Sequence, residues 1–386
     1  MGDLRIGVLG CGGRGAIARH AHQPGQGSRV VACFDIDKGL LAQQKNDYGS
    51  DVLITRDVSE LFRLGLDAVF ICTPDYLHEE HAVSALESGL TVYLEKPMAI
   101  TIAGCDRILT TAVRTGSRLF VGHNMRHMTS IHTMKTLIEE GAIGEVKTAW
   151  CRHFVGKGGD FYFKDWHADR RHTTSLLLQK ACHDIDVLHW LCGGYSQRVN
   201  AMGAITLYDQ ITDKTLSPIP WRQGLSVDNW PPLNQTGMNP IITVEDLSMM
   251  QMRLDNGVYA CYQQCNYTPD YWRNYTIIGT EGRLENFGDS QPGAIVKLWN
   301  RRVDRYSPEA DETFDVSTPT DDHGGADQRI VREFLHYARE GGTPRTSPLA
   351  ARHSVAAGYC ATESLRNDGI PIDVPQVNCA IGNYFN

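Results

Sequence analysis

Leu4-Arg5-Ile6-Gly7-Val8-Leu9-Gly10-Cys11-Gly12-Gly13-Arg14-Gly15-Ala16-Ile17-Ala18-Arg19-His20-Ala21 decides how this chain begins to fold. Residues 4–10 are an apolar run that suits a buried strand, and residues 13–22 suit the helix that follows. Between them, Gly10, Gly12, Gly13, Arg14 and Gly15 fit G-x-G-x-x-G. The pattern carries weight because it joins a strand to a helix. The first glycine permits a tight turn, the second lets backbone approach a pyrophosphate, and the third lets helix and strand pack closely. The helix start then offers N–H donors and a partial positive charge to phosphate. A second strand, residues 29–35, ends in Asp35, 20 residues beyond Gly15. A carboxylate there accepts hydrogen bonds from an adenosine ribose and repels a 2′-phosphate. Ile36, Asp37 and Lys38 follow, with no Arg, so the expected cofactor is NAD, with NADP the alternative.

Working outward, strands are expected at 67–73, 91–95 and 118–122, with helices at 78–88 and 103–115. This alternation predicts parallel βαβ units. The pattern changes after residue 123. A helix at 131–139 leads to a strand at 146–153, and 176–191 reads as one long helix. Strand-like runs follow at 198–205, 246–254, 258–267 and 275–279, with a hairpin signal at Asn256-Gly257. Strands without intervening helices suggest an antiparallel or mixed sheet with helices on one side. Residues 209–241, with Trp221 and Trp230, read as a long arm, and 327–366 is helical again. The reading is therefore α/β, with a dinucleotide-binding domain at 1–123 and an α+β domain at 124–386.

Composition limits the function. The chain has 386 residues, 42% hydrophobic and 21% charged, as in soluble globular proteins. No apolar window is long enough to span a membrane. The N-terminus runs straight into a strand, which leaves no room for a signal peptide. A net charge of −8 without a basic block argues against nucleic acid. Eleven scattered cysteines with no C-x-x-C suit a reducing, cytoplasmic setting and no zinc. His78-Glu79-Glu80-His81 has the wrong spacing for a metalloprotease pair, so no metal is assigned. No G-x-S-x-G nucleophile elbow occurs.

Leu94-Glu95-Lys96-Pro97 lies where the 91–95 strand ends, the end at which open parallel sheets bind ligands. Lys96 can donate to a substrate oxygen and stabilise an alkoxide. The proline allows a cis bond. Together with GCGGRG at 10–15, FD at 34–35, CTPDYLH at 72–78, LEKPMA at 94–99, IGEV at 143–146, HDIDVLHWL at 183–191 and IGTEGRLE at 278–285, the chain resembles the Gfo/Idh/MocA family, the relatives of glucose–fructose oxidoreductase and inositol dehydrogenase. The resemblance implies a Rossmann domain and a second domain with a large open, mostly antiparallel sheet. It implies a homodimer or homotetramer. It also implies that Lys96 and His183 flank a substrate hydroxyl beside the nicotinamide. Thr73, Pro74 and His78 would lie along the cofactor, Glu95 near the nicotinamide ribose, and Arg126 near nicotinamide and substrate. The implied reaction is hydride transfer between NAD(P) and a secondary alcohol or ketone of a sugar, polyol, inositol or glycoside. A redox-assisted glycosidase and a non-catalytic NAD-binding regulator stay open.

His183 is the expected general acid/base, because imidazole exchanges protons near neutral pH. Gln179 and Lys180 stand one helical turn before it. Many relatives carry Asp where this chain has Gln179, and Gln takes no proton. Lys180 is expected to supply a charge that holds His183 neutral as a base, and both residues are candidate substrate contacts. Asp186 reads as structural. Trp166, in Asp165–His172, offers an apolar face to a sugar ring. His323, in His323-Gly324-Gly325-Ala326-Asp327, is a further substrate candidate, with Asp327 capping the late helix.

Overall fold

The structure is a computed structural model that describes residues 2–215, 225–318 and 322–385. It divides into two compact units. The first comprises Met1–His127, Gly325–Arg352 and Gln376–Asn386, and the second Met128–Gly324 and His353–Pro375. The expected boundary at 123/124 lies within a few residues of the first division. The contiguous 124–386 domain does not hold, because the chain returns to the first unit after residue 324.

In the first unit the strands are β1 (Leu4–Leu9), β2 (Ser28–Phe34), β3 (Leu53–Thr55), β4 (Ala68–Ile71), β5 (Thr91–Leu94) and β6 (Leu119–Val121). They form one parallel sheet in the order β3-β2-β1-β4-β5-β6. This is a Rossmann strand order, with the β1–β2 side opposite the β4–β6 side across the switch point. Residues Gly13–Ala21 after β1 wind as a 3₁₀ helix rather than the expected α-helix. Phe70, Tyr93 and Phe120 stack across β4, β5 and β6, at 4.6 and 5.7 Å between ring centroids. Phe334, from the helix Ala326–Glu340, meets all three edge-on at 5.0, 5.3 and 5.6 Å. This aromatic cluster is why the late helix belongs to the first unit: its apolar stripe (Ile330, Val331, Phe334) is fully buried there.

The second unit is built on β7 (Val146–Val155), β8 (Ser196–Ala204), β9 (Leu247–Leu254), β10 (Tyr259–Cys265), β11 (Tyr271–Gly279), β12 (Arg283–Phe287), β13 (Ile295–Trp299), β14 (Glu312–Asp315) and β15 (Ile372–Asp373). Their order is β14-β13-β12-β11-β7-β10-β9-β8-β15. Every pairing is antiparallel except β7 with β10. Alternation sets the faces. In β9, Ser248, Met250, Met252 and Leu254 are buried while Met249, Gln251 and Arg253 are exposed. The helix Ala181–Cys192 covers part of the buried face, against β7 and β10. Asn256-Gly257 makes the expected hairpin, with Gly257 at φ +85°.

The expected helix 176–191 is divided at Lys180 into Leu176–Gln179 and Ala181–Cys192, the first piece capped by the Ser175 side chain. The arm at 209–241 is anchored at both ends, because Ile211, Met238 and Val244 bury with Phe163 and Tyr208. Trp221 lies outside the described residues. The strands β12–β14, which extend the sheet beyond β11, were not anticipated. Asn286 disguises β12, being a fully buried polar residue whose amide is bonded to Tyr275 N, Arg273 O and Gly288 O. No helix among the described residues is long and apolar enough to cross a membrane.

Replacing Phe334 by Ala removes the ring on which three other aromatics converge. The expected loss is about 3–5 kcal/mol of stability, read as an earlier unfolding midpoint in denaturant. A change below about 1 kcal/mol contradicts the assignment of this helix to the first unit's core.

Candidate functional site

The cofactor loop has the three properties that a dinucleotide requires of glycine. Gly10 has φ +88°, and a Cβ there would stand 2.6 Å from the Cys72 carbonyl oxygen. A Cβ on Gly15 would meet the Gly10 oxygen at 2.2 Å, so only glycine closes this turn. At Gly12 a Cβ would meet nothing within 4 Å, which leaves open space where a pyrophosphate approaches backbone. Asp35, at the end of β2, accepts from the Cys11 N–H at 2.7 Å and the Asp37 N–H at 2.9 Å. A carboxylate has about four acceptor positions, so capacity remains for ribose hydroxyls. The loop and Asp35 therefore fit the adenosine diphosphate part of NAD.

Arg14 is not a free surface cation. Its Nε donates to Glu95 at 2.7 Å, and its two terminal nitrogens donate to both Asp327 oxygens at 2.6 and 3.0 Å. Glu95, 3% exposed, also accepts from Tyr93 OH and the Lys96 N–H. Asp327 does not cap its helix: Gly325 is the N-cap, without a side-chain cap bond. The short side chain reaches Arg14 and Asn124 instead.

Lys96–Pro97 is cis and places Lys96, half-buried, just beyond β5. The His78 ring lies between Pro97 O at 2.7 Å and Thr73 O at 2.8 Å. Burial pushes this ring down to about 4 against the pull of the two carbonyls, so the neutral ring packs between the Thr73-Pro74 turn and the Lys96–Pro97 corner and donates its single N–H to one of them. Thr73 Oγ1 pairs with His81 at 3.0 Å. Arg126 is 5% exposed and donates to the Arg345 carbonyl at 2.8 Å.

In the second unit, Gln179 is buried, and Lys180 and His183 are partly exposed on successive turns. Asp184, next to His183, is fully buried and carries the network beneath them. It accepts from His153 Nδ1 at 2.9 Å and from the Tyr275 hydroxyl, and it pairs with Arg273 Nε at 2.8 Å. Arg273 continues to Asp289 at 3.3 Å and donates to His153 Nε2 at 3.4 Å. These partners assign His153 as the neutral Nδ1–H tautomer. Burial, and then Arg273, push that ring down to about 3. Burial opposes a charge on Asp184, but Arg273 and His153 hold its carboxyl well below the usual carboxylate range. Burial, and then Arg273, bring Lys180 down to about 8, so a fraction of it is neutral near physiological pH.

An aromatic run leads from Lys180 to the expected substrate loop. Lys180 Nζ lies 5.7 Å above the Tyr162 ring, Tyr162 meets His167 edge-on at 5.3 Å, and His167 stacks on Trp166 at 3.6 Å. Asp165 fixes the His167 ring through Nδ1 at 2.6 Å. His323 is exposed and left-handed, at φ +61°. The structure thus joins Lys180, Tyr162 and Trp166 within one unit. The sequence reading missed His153, Arg273 and Asp289, which lie on β7, β11 and the loop after β12. Only Asp184, adjacent to His183, carried a sequence signal.

Comparison with known proteins places this geometry. The oxidoreductase family with an NAD-binding Rossmann fold matches residues 4–123, and the GFO/IDH/MocA C-terminal domain matches residues 131–285. The chain is 32% identical over 199 residues to inositol 2-dehydrogenase 1 of Saccharopolyspora erythraea, covering 51% of this chain and 56% of that one. It is 29% identical over 206 residues to 2,7-anhydro-N-acetylneuraminate hydratase of Mediterraneibacter gnavus, 53% of each. The chain spans about half the length of these two curated relatives. An oxidoreductase from Agrobacterium radiobacter, crystallised with NAD+, L-tartaric acid and magnesium, superposes with TM-score 0.75 at 19% identity, covering 96% of this chain and 98% of that one. At that identity the likeness is one of fold. With the glycine loop, the parallel sheet and the open mixed sheet all in place, the chain belongs to the Gfo/Idh/MocA family of oxidoreductases, and its first unit is an NAD-binding Rossmann domain.

Proposed function

We propose that the protein is an NAD-preferring dehydrogenase that moves a hydride between the nicotinamide and a secondary alcohol or ketone of a sugar, polyol, inositol or glycoside. The observation that carries this reading is the buried Asp184–Arg273–His153 network, which fixes the helix turn bearing His183. A group that must exchange one proton per turnover needs such a rigid support. The bound cofactor supplies the hydride acceptor or donor. Oxidising the alcohol also releases the hydroxyl proton, which His183 takes up. Lys96 donates to the same oxygen and stabilises its developing negative charge. Gln179, Lys180, Trp166, His323 and Arg126 are the proposed substrate contacts. The inositol dehydrogenase relative supports the substrate class.

Asp35 supports NAD over NADP through its charge. The open sheet face supports assembly as a homodimer or homotetramer, since it exposes Met202, Met249 and Tyr259. On the same face lies a cavity of about 450 Å³ lined by Trp150, Arg152, Arg283 and Tyr306 among others. All eleven cysteines are free thiols, which supports a cytoplasmic setting.

The test mixes the protein with NAD+ and a panel of sugars, polyols and inositols while absorbance at 340 nm is followed. Lys96→Ala is expected to lower the rate by about a hundredfold or more, and His183→Ala by a similar factor. Full activity in Lys96→Ala refutes the assignment. Hydrolysis of a glycoside without net NADH points to the redox-assisted glycosidase, and NAD binding without turnover on any substrate points to a regulator.

Lys180 tests the proton relay separately. It is charged below about pH 8. A cation one turn from His183 disfavours the imidazolium, so removing it favours protonation of the base. Lys180→Met is therefore expected to move the acid limb of kcat/KM for alcohol oxidation to higher pH, by about one pH unit. An unmoved limb with unchanged kcat removes Lys180 from the relay.

A further inference from the structure

The glycine loop has one side chain large enough to anchor it. Gly12 and Gly13 have none, and Cys11 is an almost buried thiol that bonds to the Phe34 carbonyl. Arg14 remains. Its guanidinium offers five N–H donors in a rigid plane. Three are used: one by Glu95 at 2.7 Å and two by Asp327 at 2.6 and 3.0 Å. Both carboxylates are nearly buried, at 5% and 9% side-chain exposure, while Arg14 keeps 31%. Asp327 is itself pinned by Asn124 Nδ2 at 2.7 Å. Three separate segments of the first unit thus meet on one guanidinium, the loop, the end of β5 and the start of the late helix, and the turn after β6 joins them through Asp327.

From this geometry we infer that Asp327, 313 positions beyond the loop, is a positioning residue for the dinucleotide. It does not touch the cofactor. It makes two of the three bonds that hold Arg14, and so sets the path of the loop whose backbone N–H groups face the pyrophosphate. The two donors left on Arg14 stay directed by the same clamp and are available to an anion. A paired carboxylate keeps the guanidinium in one orientation in the empty protein, so less conformational freedom is lost when the dinucleotide binds. The inference rests on NAD binding by the first unit, which the wild-type titration checks on its own.

NADH fluorescence is titrated with the full-length wild-type protein and with Asp327→Asn, Arg14→Gln and the double variant. Asp327→Asn keeps the shape and removes the charge. It is expected to weaken NADH binding by about tenfold. The double variant is expected to bind no more weakly than Arg14→Gln alone, because both changes break one interaction. Melting temperatures taken alongside are expected to follow a different order from the affinities, which a merely structural role would not produce. In turnover assays the KM for NAD+ rises while kcat at saturation holds. Wild-type affinity in folded Asp327→Asn, or losses that add in the double variant, overturn the inference. If Asp327→Asn does not fold, Asn124→Ala loosens Asp327 from its other side. A weaker NADH affinity there supports the inference, and an unchanged one overturns it.

Discussion

The packing of the helix Ala326–Glu340 on the parallel sheet is the constraint on which most of the first unit depends. Phe334 enters the aromatic stack of Phe70, Tyr93 and Phe120, which spans three strands. That contact fixes the helix, and the fixed helix brings Asp327 to the loop at the other end of the sequence. Burying an aromatic ring contributes a few kcal/mol, enough to hold in place a charge pair that would be worth little on an open surface. Apolar packing here determines where the electrostatics act.

The second unit solves a comparable problem with a different balance of charge. Asp184 and Asp289 share Arg273, and His153 is kept neutral between Asp184 and Arg273. Each buried charge has a partner and each partner a second bond, as a low-dielectric site requires. The result is a rigid polar floor under Lys180 and His183. Removing one member would leave an uncompensated buried charge. For that reason the network is better understood as support for the helix turn than as a set of independent catalysts.

Much of the fold was legible because its signals are local. The strand–loop–helix start, Asp35 and the Lys96–Pro97 corner each combine a few neighbouring residues with one physical demand. The reading failed where the decisive partner is distant. Phe334 looks like any apolar position on an amphipathic helix, and nothing in its surroundings announces that it completes another domain's core. Asp327 has the spacing of a helix cap, but its carboxylate finds a guanidinium instead. Arg273 and Asp289 lie far along the chain from Asp184, and charged residues in strands usually face solvent. Asn286 hid an entire strand because burying an amide is tolerable only when all its bonds are made, which the sequence does not display. The division at Lys180 was also invisible, since the apolar pattern runs through it.

The first unit matches its cofactor through shape at the glycines and charge at Asp35. The second sets the helix that carries His183, the proposed proton-exchanging group, on a buried ionic floor. In the proposed oxidoreductase, selectivity begins with the ribose at Asp35. Calorimetric titration of the wild-type protein with NAD+ and with NADP+ tests this most directly. The account predicts that NAD+ binds at least about tenfold more tightly, because the Asp35 carboxylate accepts from ribose hydroxyls and repels a 2′-phosphate. Equal or tighter binding of NADP+ would contradict it.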